Sequence, residues 1–209
     1  MIIDIAKEIG AISRQVEQQR SDAGEIVTVT LERLYQTDMP DVWQAITDPE
    51  RIRRWFMPIT GELRQGGNFQ LEGNASGDIL TCEPPRHLVV TFGHESSIVD
   101  VLLSGDGEQT LLKLSHSVPI DLAGTTAGAL YVGPGWDGAL LGLGLHLAGE
   151  VTGDPVAAAN SPEAQNFNVN SINEWVAAVE ASGVADADAI AAAQRVSLAQ
   201  FAPDAVRPE

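Results

Sequence analysis

One cysteine, Cys82, in 209 residues leaves no partner for an internal disulfide. A chain without disulfides fits a reducing compartment, so the expected location is cytoplasmic. Basic residues are scarce as well: 12 Lys+Arg stand against 29 Asp+Glu, for a net charge of -17. Such a surface repels phosphate backbones and anionic headgroups, so neither nucleic acid nor a membrane is an expected partner. Long apolar runs are missing. The longest, Gly138 to Gly149, is too short to span a bilayer, and Asp4, Lys7 and Glu8 interrupt MIIDIA as a secretory h-region. There is no G-x-S-x-G, P-loop or H-E-x-x-H, and His94-Glu95-Ser96-Ser97 lacks the second histidine. Gly142-Leu143-Gly144 lacks the third glycine of a dinucleotide fingerprint. Four scattered histidines and one cysteine give no metal-ligand spacing. No metal, cofactor or catalytic set is therefore expected.

What is present is enough apolar material for a core, at 44% hydrophobic residues, and a length that suits one domain with appendages. The organisation predicted along the chain has three zones. Residues 1–24 form a helical arm, because Ile2, Ile5, Ile9, Ile12 and Val16 recur at spacings of three and four, and Ser21 to Gly24 breaks the pattern. Residues 25–150 open on an alternating strand, Ile26 to Tyr35, followed by VWQAITDPERIRRWF from Val42 to Phe56. That stretch reads as two short helices with a corner. Asp48 can cap the second, Pro49 suits its first position, and Thr47 with Glu50 has capping-box spacing. Short strands with turn signals follow: Gly61 to Gln65, Asn68 to Glu72, Gly77 to Glu83, His87 to Phe92, Ile98 to Ser104 and Gln109 to His116. They indicate an antiparallel meander. Trp136 to Glu150 is apolar nearly all round and reads as a buried helix. Residues 151–209 form a helical extension. In it, Thr152 to Ser161 is a linker, Ser171-Ile172-Asn173-Glu174 is a capping box, Gly183 is a C-cap, and Pro203 stops a helix from Asp186 to Phe201.

The stretches VW-x-AITDPE-x-I-x-x-WF, GELRQGGNFQLEG, GDILTCEPPRHLVVTF and T-LLKLSH, in that order over about residues 25–120, resemble the SRPBCC superfamily, also called START-like or Bet-v-like. Within it the chain is most similar to the family of the C-terminal domain of the activator of 90-kDa heat-shock protein ATPase. The resemblance implies an α+β helix-grip fold. In that fold a curved antiparallel sheet wraps a long C-terminal helix, here flanked by N- and C-terminal helical extensions, with a cavity between sheet and helix. It carries over no catalytic residue set, because members bind lipids, hormones or polyketides, assist chaperones, or catalyse cyclisations and hydrolyses.

Candidate ligand-binding residues follow from position. Period-two alternation puts Thr110, Leu112, Leu114 and His116 on one face of the last strand, so an inward-facing pair of leucines brings the imidazole with it. His146 shares a helix face with Gly138, Gly142 and Gly149. Helix-interior glycines cost about 1 kcal/mol each against alanine, which suggests close approach by sheet or ligand. Trp55 and Phe56 are core residues or a lip at the cavity mouth. Cys82 reads as an inert thiol. Glu32-Arg33 puts charges on opposite faces of the first strand, either as a solvated edge pair or with one of the two pointing into the cavity. Each histidine has a plainer reading too, as a satisfied core or strand-end side chain. The expected function is non-enzymatic binding of a small, mostly hydrophobic molecule. The alternatives are a chaperone-linked interaction module, working with a protein partner or as a homodimer, and a small-molecule cyclase or hydrolase using His116 or His146.

Overall fold

In the computed structural model, which describes residues 4–21, 24–150 and 153–206, the chain has the α+β helix-grip fold. Its elements are α1 (Ile5–Gly10), β1 (Ile12–Ser21), β2 (Gly24–Tyr35), α2 (Met39–Thr47), α3 (Pro49–Ile52), β3 (Ile59–Gly61), β4 (Asn68–Leu71), β5 (Ser76–Glu83), β6 (His87–Thr91), β7 (Ile98–Gly105), β8 (Thr110–Pro119), α4 (Ile120–Ala123), α5 (Ala129–Leu147), α6 (Pro155–Ala159), α7 (Pro162–Ser182) and α8 (Ala187–Phe201). The sheet order is β1-β2-β8-β7-β6-β5-β4-β3, and from β3 through β8 each strand pairs antiparallel with the next. No helix among the described residues is long and apolar enough to cross a membrane.

The chain forms two compact units. One comprises Met1–Leu31, Val118–Ala139 and Ala157–Glu209. Here the N-terminal helix is shorter than its apolar spacing predicts. Asp4 caps α1, which ends at Gly10, and residues 12–21 are strand. Ile12 and Val16 stand four apart, a spacing that serves a two-residue period as well as a helical one. Buried Ile12 and Val16 alternate with exposed Ser13, Gln15 and Glu17, and Ile2 lies outside the described residues. The stripe is covered, because α7 packs on β1, α1 and α8. Ser161, not Ser171, caps α7, with Pro162 at its first turn. Ser171 lies mid-helix and fully buried, so the capping box predicted there does not form. Gly183 does end α7 in the left-handed conformation (φ 68°), and α8 starts on the Asp186 cap. The linker predicted over residues 152–161 contains α6.

Trp175 fills the centre of this unit at 0% exposure, against Gly133 of α5. A Cβ at Gly133 would overlap the indole, with Cδ2 at 2.5 Å. The ring cannot swing away, since its Nε1 donates to Asp137 at 3.1 Å. Gly133→Ala should therefore cost about 1–3 kcal/mol through overpacking, although alanine is the better helix former by about 1 kcal/mol. Urea unfolding should show a lower midpoint at an unchanged slope. A midpoint equal to or above the parent's would contradict the packing.

The other unit, Glu32–Ser117 with Leu140–Val156, carries the candidate site residues. Asp38 caps α2, and Asp48 ends α2 and caps α3 by accepting from the Glu50 amide at 2.8 Å, with Pro49 at the first turn. The corner foreseen between Thr47 and Glu50 is thus made by Asp48. The Thr47 hydroxyl instead donates to the Trp43 carbonyl. Between β3 and β4, residues 62–67 form the connection, a longer turn than the Gly66-Gly67 doublet suggested. In β7 and β8 the register sets Val99 opposite His116, Val101 opposite Leu114 and Leu103 opposite Leu112, all six buried.

Candidate functional site

The residues singled out from sequence fall into two groups, both within the second unit. The first lies on β8. Leu112, Leu114 and His116 are 2%, 4% and 3% exposed. A side chain facing a ligand-sized hollow keeps accessible surface on that hollow, so exposures this low describe packed residues. His116 Nε2 is 2.8 Å from the Ser97 hydroxyl, and its ring meets Phe92 edge-on at 5.8 Å between centroids. Burial penalises the imidazolium and pulls the pKa of His116 down to about 4, so the ring is neutral at pH 7. A serine within reach of a neutral imidazole is the beginning of a nucleophile–base pair. Here both partners are buried, Ser97 at 4%.

The second group gathers on the C-terminal half of α5. At Gly142 the helix meets the backbone of Trp55, where a Cβ would stand 3.0 Å from the Trp55 carbonyl oxygen. Trp55 is anchored by its Nε1, which donates to the Ala45 carbonyl at 3.0 Å, and it stacks on Phe56 with centroids 5.4 Å apart. Both aromatics are half-buried. One turn further along α5, His146 Nε2 lies 3.5 Å from Arg51 Nη2. The structure thus sets Trp55 against Gly142, with Phe56 stacked on Trp55 and His146 one turn further along the same helix. The other glycines of that helix face play different parts. Gly149 takes the left-handed conformation (φ 73°) and ends the helix, with the Glu150 amide donating to the Leu145 carbonyl. A Cβ at Gly138 would meet nothing within 4 Å, so no close approach explains that glycine.

A pocket of about 560 Å³ opens here, lined by Arg53, Arg54, Pro58, His146, Gly149 and Gly153. Its lining is cationic, not leucine-rich. Arg51 Nη1 pairs with Asp41 at 2.6 Å and Arg53 pairs with Glu50. Burial works to raise the pKa of Asp41. The hydrogen bonds from Arg51 and Thr37 and the Arg51 charge outweigh it and hold the carboxyl below its usual range. His146 is pushed down, first by burial and then by the charges of Arg51 and Arg54, with Asp41 opposing.

Of the two readings open for Glu32-Arg33, the structure shows one charge turned inward. Arg33 is buried at 8% exposure, over the Tyr35 ring at 5.5 Å, and a Cβ at Gly144 would stand 2.7 Å from its Nη2. The signal was parity: Arg33 shares the odd-numbered face of β2 with Val27, Val29, Leu31 and Tyr35. Its neighbour Glu32 does face outward, 3.5 Å from Lys113. The cationic pocket had a signal too, three arginines in residues 51–54 of a chain with only 12 Lys+Arg. Cys82 is partly buried, which raises its thiol pKa.

Residues 36–146 match the model of the family described as activator of Hsp90 ATPase homolog 1-like protein. The chain belongs to that family. The crystal structure of CalU16 from Micromonospora echinospora is 38% identical, with a TM-score of 0.68 over 81% of this chain and 98% of CalU16. That coverage exceeds the family region, so CalU16 shares much of what flanks it here. The solution structure of an AHSA1-like protein from Rhizobium etli is 26% identical, with a TM-score of 0.52 over 66% of this chain and 92% of that one. The Homo sapiens activator of 90 kDa heat shock protein ATPase homolog 1 is 25% identical over 100 residues, 44% of this chain. The match spans only 30% of the human protein's length.

Proposed function

We propose that this protein binds a small, mostly hydrophobic molecule without turning it over, with part of that molecule seated in the pocket beside His146. The observation that carries the reading is the pocket itself. Its volume of about 560 Å³ lies inside the roughly 300–1,000 Å³ range of small-molecule sites. Half-buried Trp55 and Phe56 sit in the chain between two lining residues, Arg54 and Pro58, and supply apolar surface next to it. Turnover is not supported by the chemistry at hand. A general base needs an orienting partner that strengthens it, and His146 is flanked by guanidinium groups that weaken it. The other candidate imidazole, His116, is packed against Ser97 and Phe92.

Native mass spectrometry of protein purified from its own host tests the reading. A retained small molecule is expected in the parent and should be lost from His146→Trp, whose larger ring fills the pocket. Retention by that variant at parental level, or no saturable uptake of any apolar dye, would reject it. A second reading, assistance to a heat-shock ATPase, is favoured by the name of the human relative. Under the ligand-binding reading, stoichiometric protein leaves ATP hydrolysis by a 90 kDa heat shock protein unchanged. Stimulation of that hydrolysis would favour the second reading instead.

A further inference from the structure

We propose that the pocket beside His146 receives an acidic group, a carboxylate or its equivalent, at the end of an apolar ligand, and that Arg54 is its principal cationic contact. The inference rests on the pocket being the ligand site and adds the chemistry of what it holds.

A chain with a net charge of -17 repels anions over most of its surface, so an acid can dock only where cations are concentrated. The segment 51–54 is such a place. Arg53 and Arg54 line the pocket together with His146, and Arg51 stands 3.5 Å behind the imidazole. The three guanidinium groups are not equivalent. Arg51 is committed to Asp41 and Arg53 to Glu50. Arg54 is exposed at the pocket and makes no ion pair among the described residues. It is therefore the group with a planar donor fork to offer an incoming carboxylate, which guanidinium binds through two parallel hydrogen bonds.

The remaining lining suits an acid as well. Gly149 and Gly153 present backbone with open space where a side chain would be, so a ligand group can approach closely. His146 stands between positive neighbours, and their repulsion adds to burial in keeping it uncharged. An acid bound at Arg54 would offset that repulsion, and a neutral imidazole can still donate one hydrogen bond to it. The apolar body has somewhere to go, because the half-buried Trp55–Phe56 stack begins at the residue after Arg54.

A matched pair of fluorescent probes separates charge from shape. Anilinonaphthalene sulfonate and phenylnaphthylamine share one aromatic body and differ by the sulfonate. Each is titrated into the full chain by fluorescence, and its position is read from amide shifts of residues 51–58 and 146–153. The sulfonate should bind about tenfold tighter than the neutral probe, weaken as salt is added, and lose most of that advantage in Arg54→Gln. Arg54 is exposed, so the variant should fold. Arg64→Gln, outside the pocket and paired with Glu62, should leave both affinities unchanged. Equal affinity of the two probes, with shifts at 51–58 and 146–153, would overturn the acid and leave the pocket as the ligand site. Shifts elsewhere, or no saturable binding by either probe, would overturn both. An Arg54→Gln variant that keeps the full preference would overturn the role given to Arg54.

Discussion

Replacing Arg14 by methionine is expected to cost about 3–5 kcal/mol of stability, the range seen when one partner of a buried ion pair is removed. Arg14 reaches Asp137 with Nε at 2.8 Å, and their side chains are 6% and 0% exposed. Asp137 also accepts from the Ser171 hydroxyl and from Trp175 Nε1, so one carboxylate ties β1, α5 and α7 together. Arg14 meanwhile donates to the carbonyls of Ile9 and Ile12, which fixes the corner where α1 passes into β1. Methionine keeps most of the packing volume and removes the charge, leaving Asp137 to be buried alone. Burial already pushes the Asp137 pKa up, held back by Arg14, Ser171 and Trp175. Without the guanidinium it must rise further. A carboxyl with a raised folded-state pKa keeps its proton in the folded chain while the unfolded chain has released it. The parent's Asp137 pKa is itself raised, so the added cost of Arg14→Met should grow only as pH climbs above that raised value toward the variant's still higher one, and then level off. Adding Asp137→Asn to Arg14→Met should recover part of the loss and flatten that dependence, since no charge is then buried. Urea unfolding at several pH values checks it. A loss under about 1 kcal/mol with no pH slope, the behaviour of a solvated surface pair, would show that the pair is not buried as described.

This cluster shows where sequence reading stopped. Patterns set by neighbours along the chain were legible. Asp48-Pro49 marks the start of α3, period-two alternation locates β2, turn signals bound β4 through β8, and Gly183 and Pro203 end helices where expected. Patterns decided by distant partners were not. Ile12 and Val16 fit a helix or a strand equally, and the partner that covers them as strand residues is α7, far along the chain. Neither Asp137 in its apolar helix nor Arg14 between Ile12 and Val16 carries a local signal of a partner. Only their meeting, 123 residues apart, gives either a role. Ser171 has the right spacing to Glu174 for a cap, but its hydroxyl donates to that same Asp137 from mid-helix. The site divides in the same way. The cost of a glycine in a helix signals a close approach at Gly142, but the neighbour is the Trp55 backbone beyond α3, not the sheet or a ligand. The cationic character of the pocket has no periodic pattern to announce it, because three arginines within residues 51–54 are a small cluster in a strongly acidic chain.

Acid should destabilise the fold in a window set by His116. An unfolded histidine takes up a proton below about pH 6.5, whereas burial keeps His116 neutral in the folded chain down to about pH 4. Between those values the unfolded state binds the extra proton. Stability attributable to this residue is thus fully present above about pH 6.5, falls by about 1.4 kcal/mol per pH unit as pH drops, and is flat below about pH 4. The full loss is about 3 kcal/mol, a large fraction of the 5–15 kcal/mol that ordinarily holds a domain together. Other groups titrate in the same window, so the quantity to read is the difference from a variant. His116→Gln keeps a polar group that can meet the Ser97 hydroxyl and removes the titration. It should lose less stability than the parent between pH 6.5 and pH 4, by about one proton's worth of slope. The two should run parallel above that window. Because Ser97 and Phe92 pack against a ring that is 3% exposed, no ligand or salt condition that acts on the cationic pocket should move this window. Parallel losses for parent and variant through the whole window would mean that the imidazole is open to protonation in the folded state, and that the β8 face is not packed shut.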